Sequence, residues 1–274
     1  MNVSEVQPSP DAGDFERRFG GLRRLYGVAG AQRIFDAHVV VVGIGGVGSW
    51  TAEALARSGV RSLTLIDLDH VSESNFNRQV HAHSLTLGQS KAEAMRERIA
   101  LFHPTCRVNV IDDFVTPDNW LEMVAQAGRD CGVPQVVVDA CDQIRAKTAM
   151  AAWALDTRHP FVSVGAAGGK RLPQGVEVDD LAGVSHDPLL AKLRYQLRRQ
   201  HGAARTGRIR LVCVFSREPV APPDASCGID TGDGSLNCHG YGSAVGVTAA
   251  FGMAAAGWAM NTLATSAKTS LGDL

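Results

Sequence analysis

No two of the six cysteines of this 274-residue chain form a C-x-x-C pair. That argues against a structural zinc site of the common spacing, and a chain of this size needs no disulfide framework, so a reducing cytoplasm fits. There is no excess of either charge: Lys+Arg is 27 and Asp+Glu is 28. Overall charge therefore selects neither a nucleic acid nor a membrane, and such a partner must be sought in local clusters. The first residues, Met1 to Asp14, contain Glu5, Asp11 and Asp14 but neither a basic residue nor an apolar run, which excludes a signal peptide. Pro8, Ser9, Pro10 and Gly13 predict a disordered leader over 1–14. A last absence lies near the other end: no Asp, Glu, Lys or Arg occurs from Gly234 to Ala267. The stretch is long enough to span a bilayer, but Ala, Gly, Ser and Thr dominate it. A helix buried against a sheet or a dimer partner is favoured over membrane association.

What is present is globular, with 45% apolar and 20% charged residues. Order is predicted from Phe15, with a loop and a short helix over Phe19 to Ile34. His38 to Gly43 is a β-branched run ending in glycine, the pattern of a strand buried on both faces. Helical spacing follows over Val47 to Ser58, with Gly59 as its stop. Further strands are predicted at Ser62 to Ile66, Arg107 to Ile111, Gln135 to Ala140 and Phe161 to Val164. Helices are predicted at Ser90 to Phe102, Asp118 to Ala127 and Ile144 to Thr157. This alternation gives an α/β fold: a Rossmann-like, mostly parallel sheet with helices on both faces. After Gly165 the rhythm changes to a C-terminal extension with strands at Val176 to Val178 and Ile209 to Phe215. It also holds a basic helix at Pro188 to Gln200, a Pro/Gly/Asp/Ser-rich loop from Arg217 to Gly240, and the Ala/Gly-rich helix. The chain is divided as the leader and a single domain over 15–274, with a nucleotide core at about 15–165 and a substrate or dimer part at about 166–265.

The chemistry starts at Gly43-Ile-Gly45-Gly46-Val-Gly48, a G-x-G-x-x-G between a strand and a helix. Gly43 allows the tight turn, Gly45 lets backbone N–H groups approach a phosphate, and Gly48 lets the helix pack on the strand. Asp67, ending the second strand with Asp69 close behind, is placed to accept from ribose hydroxyls. To this point a nicotinamide-dependent dehydrogenase fits as well as an ATP user. Arg78, in the run Ser74-Asn75-Phe76-Asn77-Arg78-Gln79, and Lys91 on the next helix supply the extra cations that a triphosphate needs. Asp142, in Asp139-Ala-Cys-Asp142, sits past the fourth strand, where a carboxylate suits Mg²⁺.

The run from Gly43 to Asp142 resembles the ubiquitin-activating-enzyme-like superfamily, which includes the bacterial adenylyltransferases of thiamine and molybdopterin synthesis. The resemblance implies Mg-ATP, adenylation of a carboxylate and a homodimer. It implies Gly45 at the phosphates, Asp67 at the ribose, Asn75, Arg78 and Lys91 around the phosphates, and Asp142 on Mg²⁺. It further implies that Arg18, in Arg18-Phe-Gly-Gly21, reaches the partner subunit's ATP. The segments Arg18 to Gly27, Asn77 to Ala82, Asp112 to Asn119, Asp187 to Arg194 and Val212 to Ser216 resemble one branch, the tRNA threonylcarbamoyladenosine dehydratases. That branch implies a tRNA substrate, dehydrated and cyclised beside the anticodon. The same ATP site would also serve an activator of a ubiquitin-like sulfur carrier.

A tRNA needs cations, and between Asp187 and Glu218 there is no acid but Lys192, Arg194, Arg198, Arg199, Arg205, Arg208 and Arg210, preceded by Lys170 and Arg171. These are the candidate phosphate contacts. Cys106, Cys131, Cys141 and Cys213 read as inert core thiols. Cys238, beside His239 in a flexible Gly-rich stretch, is the candidate sulfur-accepting thiol, with a cysteine desulfurase system as its implied partner.

Overall fold

The computed structural model describes residues 12–222, 224 and 241–266. Two helices, α1 (Ala12–Phe19) and α2 (Leu22–Phe35), lead into a seven-stranded sheet of order β3-β2-β1-β4-β5-β7-β6. The strands are β1 (His38–Val42), β2 (Ser62–Ile66), β3 (Arg107–Ile111), β4 (Val136–Asp139), β5 (Phe161–Val164), β6 (Val176–Asp180) and β7 (Val212–Ser216). All neighbouring pairs are parallel except β6 with β7, which puts the one antiparallel strand at the edge of the extension.

Alternation along β1 explains the layers, since successive side chains point to opposite faces. Val39 and Val41 enter a core with α3 (Gly48–Arg57), α4 (Lys91–Ala100) and the end of α2. Val40 and Val42 enter a second core with α5 (Trp120–Cys131), α6 (Ile144–Thr157) and α7 (Pro188–Gln200). The Ala/Gly-rich stretch forms α8 (Val245–Thr265) in the first core. Small residues are needed there because a Cβ on Gly252 would lie 2.6 Å from the carbonyl oxygen of Val47. Arg33 closes the α2 end of this layer by donating to the carbonyl oxygens of Leu263 and Ala264. Among the described residues no helix is long and apolar enough to cross a membrane.

Some expectations shift. Helix α1 begins at Ala12, so residues 12–14 of the expected leader are helical; the rest of it lies outside the described residues. The segment read as a loop and short helix is mostly α2, kinked at Gly27, whose φ of 72° lies in the left-handed region. Strand β7 starts at Val212 rather than at Ile209, because the Asp180 carboxylate takes the N–H groups of Ile209 and Arg210, and Arg210 turns to φ 70°. Most of the Arg217 to Gly240 loop, with Cys238 and His239, lies outside the described residues.

Candidate nucleotide site

A cavity of about 350 Å³ opens at the carboxyl ends of β1, β2, β4 and β5. This is the edge where open α/β sheets bind ligands. Its wall contains Gly43, Gly45, Gly46, Asp67, Asp69, Asn75, Arg78, Gln79, Lys91 and Asp142. The glycines divide by function. Gly43 has φ 83°, and a Cβ on Gly48 would lie 1.7 Å from the carbonyl oxygen of Gly43, so both are required by the turn itself. A Cβ on Gly45 would meet nothing within 4 Å. Its small size is therefore not demanded by the protein's own packing.

Asp67 is buried, and its carboxylate accepts from the N–H groups of Ile44 and, at 2.8 Å, Asp69. Burial pushes its pKa up, and Lys91 and these two N–H groups oppose the shift. Lys91 Nζ donates to Asp69 Oδ2 at 2.7 Å across the cavity mouth. Asn75 closes a capping box with Ser72, its Oδ1 accepting from the Ser72 N–H at 3.0 Å. Arg78 donates to the Ser74 carbonyl at 2.6 Å and to Asn77 Oδ1 at 3.0 Å. Among the described residues, Arg78 Nε and Gln79 Oε1 are buried without a hydrogen-bond partner. They are two of nine such atoms among the described residues, and the two that belong to residues lining the cavity. Asp142 is exposed at the rim, and its side chain makes neither a hydrogen bond nor an ion pair among the described residues.

Other predicted residues stand outside. Gly48 lies behind the loop, and Asn77 ties its own segment to the Ser243 carbonyl at 2.9 Å. Arg18 pairs with Asp14 and donates to the Phe102 carbonyl, away from its own chain's cavity. Lys170, read from the sequence as a phosphate contact, is instead buried and donates to the carbonyls of His186, Ser216 and Glu218, so it is no surface phosphate contact. Arg194 is half-buried and spends one nitrogen on the carbonyls of Leu181 and Val184. Arg198 holds the Ala204 carbonyl at 3.0 Å. Arg171, Lys192, Arg199, Arg205, Arg208 and Arg210 are exposed. Burial raises the thiols of Cys141 and Cys213 well above their usual range, raises Cys131, and pushes Cys106 to about 12.

Three supports of the cavity have no sequence signature. Lys147, fully buried on α6, donates to Asp139 Oδ2 at 2.7 Å, to the Val164 carbonyl at 2.9 Å and to Ser163 Oγ at 3.1 Å. Asp139 Oδ1 in turn accepts from the N–H of Cys141, which fixes the segment leading to Asp142. Burial is the largest single influence and works against the Lys147 ammonium, but Asp139 together with Cys141 and Cys213 holds the pKa above the ordinary lysine value. Asp187 caps α7 through Leu190 N–H and pins Ala166 N–H of the cavity wall, both at 2.9 Å. Thr248 brings α8 into that wall. Lysine in a helix, aspartate before proline and threonine in an apolar run are each ordinary alone, and only tertiary contacts give them these roles.

The ThiF family pattern matches residues 20–271. The chain belongs to the ThiF family. It is 43% identical over 258 residues to the tRNA threonylcarbamoyladenosine dehydratase of Escherichia coli, covering 91% of this chain and 94% of that one. The enzyme of the same name from Haemophilus influenzae is 40% identical, with 87% and 90% covered. The solved structure of the E. coli enzyme TcdA in complex with ATP superposes with a TM-score of 0.79 at 42% identity, over 93% of this chain and 97% of that one. This ThiF family chain thus shares a Rossmann-like fold with an enzyme that binds ATP.

Proposed function

We propose that this chain is an ATP-dependent tRNA threonylcarbamoyladenosine dehydratase that activates the substrate carboxylate by adenylation. The observation that carries the reading is the convergence of Gly45, Asp67, Arg78, Lys91 and Asp142 on one cavity. The named relatives supply the substrate class. In this reading the Gly45 backbone approaches the phosphates, Asp67 accepts from the ribose, and Arg78 and Lys91 face the charge that develops as pyrophosphate leaves. The unpartnered Arg78 Nε and Gln79 Oε1 are suited to a polar ligand. Asp142 fits Mg²⁺, which takes few carboxylates and shares its shell with phosphate oxygens; among the described residues nothing engages its carboxylate at the rim. Bound there, the cation would neutralise phosphate charge.

A carboxylate oxygen of the threonyl group attacks the α-phosphorus, and the bond to pyrophosphate breaks. The acyl-adenylate is then attacked from within the same side chain, the ring closes and AMP leaves. Formally the substrate loses one water, whose elements are taken up in splitting ATP to AMP and pyrophosphate. The protein's task in the second step is orientation, because the nucleophile is already tethered. The finer parts of the proposal are a cytoplasmic homodimer in which Arg18 serves the partner's site, and one adenylating domain from about residue 15 with its substrate part after 165. Cys238 accepts sulfur from a cysteine desulfurase system and takes no part in ring closure.

Nucleoside mass spectrometry of tRNA incubated with protein and Mg-ATP tests the central claim. The expected product is the modified adenosine lighter by one water, formed only with ATP. Pyrophosphate release on addition of a sulfur-carrier protein, with no change in the tRNA, would overturn it in favour of a carrier-activating enzyme.

A further inference from the structure

Burial separates the basic segment into cations that hold the fold and cations that face solvent, and an aromatic ring stands among the second set. On α7, Leu190, Leu193 and Leu197 are fully buried, while Lys192, Tyr195 and Arg199 are exposed. The exposed three are spaced i, i+3 and i+7, which places them on one helix face. Tyr195 is 56% exposed. Arg199 Nη1 donates to its hydroxyl at 3.0 Å, and the guanidinium carbon lies 5.9 Å from the ring centroid. The ring is thus held at its polar edge while much of it stays in water.

The turn that follows presents more cations. The buried Asp180 carboxylate accepts from Ile209 N–H at 2.9 Å and Arg210 N–H at 2.6 Å. It holds Arg210 at a left-handed φ of 70°, with the side chains of Arg208 and Arg210 exposed. This turn is fastened to α7 through Arg198 Nε on the Ala204 carbonyl and Ala203 N–H on the Leu197 carbonyl. Near its start α7 touches the nucleotide cavity through Leu189. At the rise of an α-helix, Tyr195 lies roughly 9 Å further along the axis.

We propose that Tyr195 is a stacking platform for an unpaired nucleobase adjoining the nucleotide that enters the cavity, with Lys192, Arg199, Arg208 and Arg210 on the flanking phosphates. A single exposed tyrosine is ordinary on a protein surface. This one is fixed by an arginine, lies in a segment free of acidic residues from Pro188 to Arg217, and sits on the helix that leaves the candidate site. Cations attract any phosphate backbone, whereas an exposed ring rewards a base that is already unstacked. The surface therefore favours a single-stranded loop over a duplex. The inference rests on the tRNA reading proposed above.

The test is fluorescence anisotropy with the full-length protein, a labelled tRNA anticodon stem-loop and a fully paired RNA of equal length, across a salt series. Tyr195→Ala should weaken stem-loop binding roughly tenfold, leaving duplex binding, the salt slope and the thermal midpoint unchanged. Tyr195→Phe, which keeps the ring but loses the Arg199 hydrogen bond, should lose clearly less affinity than Tyr195→Ala. Lys192→Ala should instead flatten the salt slope by about 0.7, the value for one single-strand phosphate contact. Wild-type affinity in Tyr195→Ala, or an equal loss for duplex and loop, overturns the stacking role alone. Failure of the wild-type protein to bind either RNA overturns this surface together with the substrate reading.

Discussion

Two lysine–aspartate pairs meet at the same 2.7 Å, one beneath the nucleotide cavity and one at its mouth. Beneath it, Lys147 and Asp139 are both 0% exposed and share Ser163 Oγ between them, and Lys147 also donates to the Val164 carbonyl. At the mouth, Lys91 is 9% exposed but Asp69 is 54% exposed. If Lys91 turns toward a phosphate, water can take its place on Asp69, so the exchange costs little. Lys147 has no such freedom, because any departure would leave a carboxylate in the core without compensation. Equal geometry thus serves opposite ends: a fixed base under the Asp142 segment, and a cation that can change partners.

The largest test of this contrast is Lys147→Met. It should cost about 3–5 kcal/mol of stability in chemical denaturation, the scale for breaking a buried pair from one side. The double variant Lys147→Met, Asp139→Asn should recover much of that loss, since no buried charge is then stranded. A stable single variant would erase the distinction. Next in size is Lys91→Ala. Its stability should fall less than that of Lys147→Met, because its partner Asp69 is open to water, while adenylation measured by pyrophosphate release should fall on the order of 10²–10³-fold. Asp142→Ala should behave likewise, and a folded variant of either kind with normal turnover would remove that residue from the site.

Acid should act on the mouth side and the layer behind it more than on the base. Burial, with Lys91 and Arg98 beside it, depresses His81 to about 3. Burial is also the main cause that depresses His103, to about 4. Both stay neutral in the folded chain where the unfolded chain takes up a proton. Stability is therefore full above the unfolded value near 6.5 and is lost as pH falls toward the folded values. Asp67 and Asp187, raised by burial, act in the opposite sense. From about pH 7.5 to about pH 5.5 each histidine should remove about 1 kcal/mol. A His81→Gln variant with an undiminished pH slope would argue against this assignment. The smallest stability effect is that of Gly45→Ala, which meets no protein atom within 4 Å. Unfolding should change by less than about 0.5 kcal/mol, while calorimetry should show weakened Mg-ATP binding. Unaltered binding would show that no phosphate approaches that backbone.

The same contrast marks what could be read from the sequence. The central strands were legible because His38 to Val42 and Val136 to Asp139 are buried on both faces and so read as continuous apolar runs. The mouth was legible too, since Gly43 to Gly48 and Ser74 to Gln79 are contiguous and their chemistry is carried by local order. The base was not. Lys147 is one lysine in a helix, and its role depends on Ser163 and Val164 on another strand. Ile209 reads as strand, yet its N–H is claimed by Asp180, distant in sequence. Lys170 shows the limit of counting charges: composition registers the cation but not that three carbonyls enclose it.

Helix α8 carries a consequence for how the molecule is made. Synthesis is vectorial, and the phosphate loop at Gly43 to Gly48 emerges long before residues 245–265. Yet Thr248 forms part of the cavity wall, and Gly252 seats against the carbonyl of Val47 inside that loop. A nascent chain can therefore assemble its central strands early, but it cannot complete the nucleotide cavity until α8 has arrived and docked. Ligand affinity, on this account, switches on late in translation rather than growing with chain length.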